Sequence, residues 1–171
     1  MSIHGSEQLT RTDIRRIEEE IEHRKTVVRP AALKALKEAR AMGDLSENFE
    51  YYAAKRDNNI NNSRIRYLEK MLRFATVVEE EADADTAGIN DTVEVYFPED
   101  DETVTYRIVT SIRSNSLDNL ISNESPLGRA ITGHKVGDRV EVTVSPSVSY
   151  YVEIRGLVKT GENDTDRIHQ Y

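Results

Sequence analysis

The chain is predicted to be α+β: an antiparallel α-helical coiled coil over residues 1–75, then a small antiparallel β domain with one short helix over residues 76–161, and a polar tail at 162–171. Three observations carry this. Apolar residues recur at helical spacing from about Thr10 to Phe74, and beyond Phe74 the period falls to two. Gly43 breaks the helical half into two long segments joined by a few residues, which makes them antiparallel neighbours.

In the first segment Thr10 or Thr12 can cap the helix, with Asp13 near the positive end of its dipole. Ile14, Ile17, Ile21 and Val28 form the first stripe, and Ala32, Leu33, Leu36, Ala39 and Met42 form the second. Pro30 lies between the two stripes, where it removes a backbone donor and crowds the preceding turn, so it kinks or restarts the helix. The second segment has a cleaner seam, Tyr51, Ala54, Asn58, Asn61, Ile65, Leu68 and Leu72, alternating by three and four. Its two asparagines weaken packing and favour one register. About 30 residues per helix gives an arm of about 45 Å.

In the second half, residues 76–78, 92–97, 103–109, 139–144 and 150–154 read as strands. Pro98 with Glu99, Asp100 and Asp101 marks a hairpin turn, and Gly133 and Gly137-Asp138 mark another turn region. Ser125 followed by Pro126 announces a short helix over 126–131. The last residues, Gly161–Tyr171, read as frayed.

The 171 residues are 37% hydrophobic and 32% charged, a lean apolar supply that suits an elongated molecule. There is no cysteine, which excludes disulfides and thiolate metal sites and fits a reducing cytoplasm. No apolar run is long enough for a bilayer and no signal core opens the chain, so a cytoplasmic protein without membrane contact is expected. Net charge is −8, unevenly spread. Between Phe74 and Tyr106 there is no Lys or Arg, whereas Lys34, Lys37, Arg40, Lys55, Arg56, Arg64, Arg66, Lys70 and Arg73 enrich the hairpin in cations. The whole chain is thus a poor non-specific nucleic-acid binder. The cations are either a solvated helix face or a surface for phosphates.

The chemistry concentrates at the hairpin tip. Asp44 and Glu47, three residues apart, begin the second helical segment. Their spacing is that of a capping box, and equally that of two hard oxygen donors held at the end of an arm. Two carboxylates complete a Mg²⁺ ion whose other ligands come from elsewhere; they do not hold one alone. Tyr51 and Tyr52 either stack on a base or, for Tyr51, pack in the seam. The histidines at 4, 23, 134 and 169 are scattered, and no phosphate loop, dinucleotide fingerprint or zinc spacing is present. A self-sufficient enzyme is not expected.

The run from Glu38 through Tyr51, Glu-Ala-Arg-x-x-Gly-Asp-Leu-x-Glu-Asn-x-Glu-Tyr, resembles the tip signature of the bacterial Gre transcript cleavage factors. Ala53-Ala54-Lys55 and Arg64-Ile65-x-x-Leu68-Glu69 continue the likeness. Ile121-Ser122, Ser125 through Ala130, and Gly133-x-Lys135-Val136-Gly137-Asp138 are similar to that family's C-terminal domain. The likeness spans about Leu9 to Val158. The small residues Ala53-Ala54 lean toward the GreA type over the GreB type. Phe49 departs from the pattern, standing where a small residue is common, the acidic run 79–85 is heavier than the pattern leads one to expect, and the tail from Asn163 is an extension.

The resemblance implies an FKBP-like C-terminal domain that docks at the secondary channel of bacterial RNA polymerase, and a coil that carries Asp44 and Glu47 to the active centre. There they help hold a Mg²⁺ shared with the polymerase and orient a water, so that the polymerase cuts the backtracked 3′ end of its nascent RNA. By the same resemblance Arg40, Tyr51, Lys55 and Arg56 face that RNA, and Ser125, Pro126, Leu127, Gly128 and Arg129 lie in the docking region. No tightly bound cofactor is implied. A monomer is expected. The alternative within the same fold is a channel occupant that modulates or inhibits polymerase without cleavage.

Overall fold

The structure, a computed structural model, describes residues 7–43, 48–79, 83–163 and 166–169. It is α+β and divides into two units, Thr12–Thr76 with Met1–Glu7, and Val77–Tyr171 with Gln8–Arg11.

The helical unit opens with α1 (Arg11–His23), passes through a π-helical stretch at Arg24–Val28, and continues as α2 (Arg29–Ala41). The π turn answers the proline. The Arg29 N–H donates to the Arg24 carbonyl five residues back, and Pro30 occupies the first turn of α2, where its missing donor is least needed. The chain therefore stays helical through Pro30. The return helix α3 (Phe49–Phe74) has 26 residues, about 39 Å of rise.

Cross-helix bonds set the antiparallel register. Arg64 donates to Glu20, Arg24 to Asn61 and Arg40 to Tyr51, so positions fall along α3 as they rise along the first arm, and Arg29 donates to Asn62 beside the second of these pairs. On α3, Tyr51, Asn61, Ile65 and Leu68 are buried, and Ala54, Asn58 and Leu72 are half-buried. Arg64 and Met71, outside the expected seam, are buried too. On the first arm Ile17, Ile21 and Ala39 are buried. Leu33 and Met42, expected in the stripe, are instead exposed: Ala32, Leu36 and Ala39 of that stripe take the packed side, Leu33 falls beyond its edge, and Met42 lies past the end of α2.

In the second unit, β3 (Thr92–Phe97), β4 (Glu102–Val109), β5 (Leu120–Ser122), β6 (Arg139–Ser145) and β7 (Val148–Val158) form one five-stranded sheet ordered β5-β4-β3-β7-β6. The β3–β4, β3–β7 and β6–β7 pairs are antiparallel. The expectation of a purely antiparallel sheet is corrected at the edge, where β5 runs parallel to β4. That strand has only three residues and no alternating pattern to announce it. Strand β2 (Thr76–Val77), expected with this domain, pairs instead with β1 (Gln8–Leu9) in a separate two-stranded ribbon.

The inward faces of the sheet supply Val93, Val95, Ile108, Val140, Val142, Val152 and Ile154. Helix α4 (Pro126–Ile131) covers them with Ile131, and the Ser125 hydroxyl caps it by accepting from the Gly128 N–H at 3.0 Å. Gly128 is obligatory: a Cβ there would lie 2.0 Å from the Ser122 carbonyl oxygen.

The described tail residues 166–169 are not frayed as expected. Asp166 is buried between Arg107 and Arg113, Ile168 is buried, and the His169 N–H donates to the Ile112 carbonyl at 2.7 Å. Buried Arg113 and half-buried Arg107 need an anion, and the tail provides it.

Candidate functional site

The turn between α2 and α3 is bracketed by two residues with definite roles. Gly43 has φ +128°, a conformation that L side chains rarely adopt. Asn48 caps α3: its Oδ1 accepts from the Tyr51 N–H at 3.0 Å, while its Nδ2 donates to the Ala39 carbonyl at 2.6 Å. One side chain thus ties the end of α2 to the start of α3. The capping reading of Asp44 is corrected: the cap of α3 is Asn48. The signal was in the sequence, since Asn is among the best N-caps and stands just before an aromatic helical turn. Asp44 and Glu47 lie outside the described residues, in the segment 44–47 that Gly43 and Asn48 delimit.

Behind this turn, Tyr51 is only 9% exposed. Its phenol oxygen accepts from Arg40 Nη2 at 3.3 Å, and the guanidinium lies 5.4 Å from its ring centroid. The hydrogen bond from Arg40, then the charges of Arg40 and Lys55, hold the phenol below its ordinary pKa against the opposing effect of burial. Tyr51 is therefore a seam residue that positions Arg40. Tyr52 meets it edge-on at 5.5 Å between centroids and stays 52% exposed. Phe49, not singled out as a contact residue from sequence, is 85% exposed. Arg40, Lys55 and Arg56 are all exposed, and Arg56 has only a solvent-facing pair with Asp57 at 3.7 Å.

The expected docking segment separates into two kinds of residue. Ser125 is spent on the cap and on the Ser122 carbonyl, Gly128 is buried, and half-buried Leu127 packs on the core. Pro126 is half-buried and opens the helix, and Arg129 is exposed. Among the described residues no three His, Asp or Glu side chains converge into a metal-ion group, and no helix is long and apolar enough to cross a membrane.

A long pair of helices is followed in the chain by this sheet unit. Residues 7–77 match the family model "Transcription elongation factor, N-terminal", and residues 81–156 match "Transcription elongation factor, GreA/GreB, C-term". The chain belongs to the GreA/GreB family. It is 44% identical over 141 residues to transcription elongation factor GreA of Thermoanaerobacter pseudethanolicus, covering 82% of this chain and 90% of that protein. It is 42% identical over 153 residues to GreA of Clostridium beijerinckii, covering 89% and 95%. Among solved structures it is similar to the Gfh1 protein of Thermus thermophilus, at 25% identity, 90% and 99% coverage and a TM-score of 0.42.

Proposed function

We propose that this elongation factor stimulates transcript cleavage by bacterial RNA polymerase, entering the secondary channel hairpin first and rescuing complexes whose RNA 3′ end has backtracked. What supports the reading is the sequence position of Asp44 and Glu47 between Gly43 and Asn48, in the segment between helices α2 and α3 of a GreA/GreB-family chain. Carboxylates there reach a confined centre that the sheet unit is too bulky to enter.

The donor set fits Mg²⁺, which takes hard oxygen ligands and keeps several waters. Asp44 and Glu47 supply two such donors, and the polymerase supplies the rest. Mg²⁺, when bound, stabilises charge on the attacking and leaving oxygens. The chain's own work is to present the two carboxylates and to orient a water by hydrogen bonds to their oxygens. Arg40, Lys55 and Arg56 face the phosphates of the extruded RNA, with Tyr51 holding Arg40 in place. Exposed Arg129, in the last turn of α4, belongs to the polymerase-docking face of the sheet unit. The protein is not itself an enzyme; bond cleavage belongs to the polymerase. It works in the cytoplasm, where the polymerase is.

The test mixes the full chain with stalled, backtracked polymerase and follows both binding and RNA length. Shortened RNA that resumes elongation is the expected result. Binding that blocks synthesis with no shortening would replace this reading by that of a channel inhibitor, and absence of binding would end it.

A further inference from the structure

The outer face of α3 carries a second row of residues at three- and four-residue spacing: Phe49, Tyr52, Arg56, Ile60, Ser63 and Tyr67. At about 100° per residue they fall in a sector roughly 80° wide, on the side of the helix away from the seam. Phe49 is 85% exposed, Tyr52 52%, Ile60 54% and Tyr67 45%. Single exposed apolar side chains are ordinary on any surface, but an aligned row containing three aromatics and no carboxylate is not. Lys55 and Arg66 border it on one side by helical position.

We propose that Phe49 and Tyr52, with Arg56 one turn behind them, form a stacking platform for the unpaired 3′-terminal bases of an RNA strand. The inference rests on the reading above that an extruded RNA end meets the hairpin tip, and it moves base contact from buried Tyr51 to the opposite face. Phe49 and Tyr52 are three residues apart, a rise of about 4.5 Å, so their positions are neighbours on one face of α3. The edge contact with Tyr51 at 5.5 Å limits where the Tyr52 ring can turn. Aromatic faces accept any base, which suits a factor that must act at any sequence. Arg56 supplies charge for the phosphate that follows. A partner helix would need apolar knobs along the whole row. Arg56 and Ser63 interrupt it, whereas two rings followed by a cation suit a single strand.

The test places 2-aminopurine at the extruded 3′ end of a backtracked RNA in stalled polymerase, and adds full chain carrying Asp44→Asn and Glu47→Gln so that the RNA stays whole. Quenching of the fluorophore on binding is expected. It weakens by about tenfold in concentration dependence for each ring removed by Phe49→Ala or Tyr52→Ala. Phe49→Trp and Tyr52→Phe restore it. Trimming by chain with intact carboxylates is measured in parallel. Trimming without quenching, or quenching that survives both alanines, would overturn the platform and leave the cleavage reading standing. So would self-association through this face in the absence of RNA, if Phe49→Ala abolishes it. Quenching without trimming supports the platform and removes the cleavage reading. Neither signal ends both.

Discussion

In the hairpin the middle of the packed face is polar. Glu20 accepts from Arg24 Nε at 2.7 Å and from Arg64 Nε at 2.9 Å, and Asn61 closes the cluster onto Arg24. In the sheet unit the middle is aliphatic, and ionic contacts such as Arg107 and Arg113 with Asp166 involve the tail. The difference follows from shape. Two helices packed side by side bury one narrow strip each, too little apolar area to specify register alone, so directional bonds do it. A sheet covered by a helix has an interior deep enough for close aliphatic packing.

Truncation of the sheet core should have the largest effect. Ile154→Ala, at a site 1% exposed, is expected to cost about 4 kcal/mol, read as loss of near-ultraviolet tyrosine ellipticity at lower denaturant while helical signal persists. Equal loss of both signals at one midpoint would mean that the two units unfold together. Next is Glu20→Gln, which leaves the Arg64 guanidinium, 7% exposed, without its carboxylate. About 3 kcal/mol should disappear from the helical transition. If the midpoint does not move, the polar cluster does not hold the hairpin.

Acid sharpens the same contrast. Burial raises the carboxyls of Glu20 and Asp166, but it is outweighed together by the hydrogen bonds and charges of Arg64 and Arg24 at Glu20, and by the Arg107 hydrogen bond, the Asn163 N–H and the charges of Arg107 and Arg113 at Asp166, so both lie below the usual range. A carboxyl with a depressed folded pKa binds fewer protons folded than unfolded. Its stabilisation is complete above the unfolded value of about 4 and is lost as pH falls through the folded one. Both units should therefore weaken below about pH 4. Glu20→Gln should flatten the decline of the helical transition only, and Asp166→Asn that of the sheet only, in melts recorded between pH 2 and 7. The smallest effect is at the tip. Asn48→Ala removes one cap and should lower helical stability by about 1 kcal/mol in urea titrations. A cost near zero would place the cap elsewhere.

How much of this was legible in sequence depended on how local its cause is. The seam of α3 and the span of α4 follow from spacing, from Ser125 and from Pro126, all within a few residues. Leu33 and Met42 were misplaced because the packed strip is narrower than the apolar stripe and α2 ends at Ala41, neither of which spacing alone reveals. The docked tail was missed because Asp166 is polar by itself and becomes buried only against Arg107 and Arg113, more than fifty positions away. Strand β5 was missed because its partner, not its pattern, makes it a strand. At the site, Asp44 and Glu47 were conspicuous as chemistry, yet Asn48 rather than Asp44 holds the cap. Tyr51 was a candidate base contact, but the ring belongs to the seam, and the outward rings are Tyr52 and Phe49.

The central claim is that the two tip carboxylates act inside another protein's active centre. Single-turnover trimming of a backtracked transcript, measured at saturating factor, tests it most directly. Asp44→Asn with Glu47→Gln should slow trimming on the order of a hundredfold while affinity for the polymerase holds. Undiminished trimming by that double variant would contradict the account.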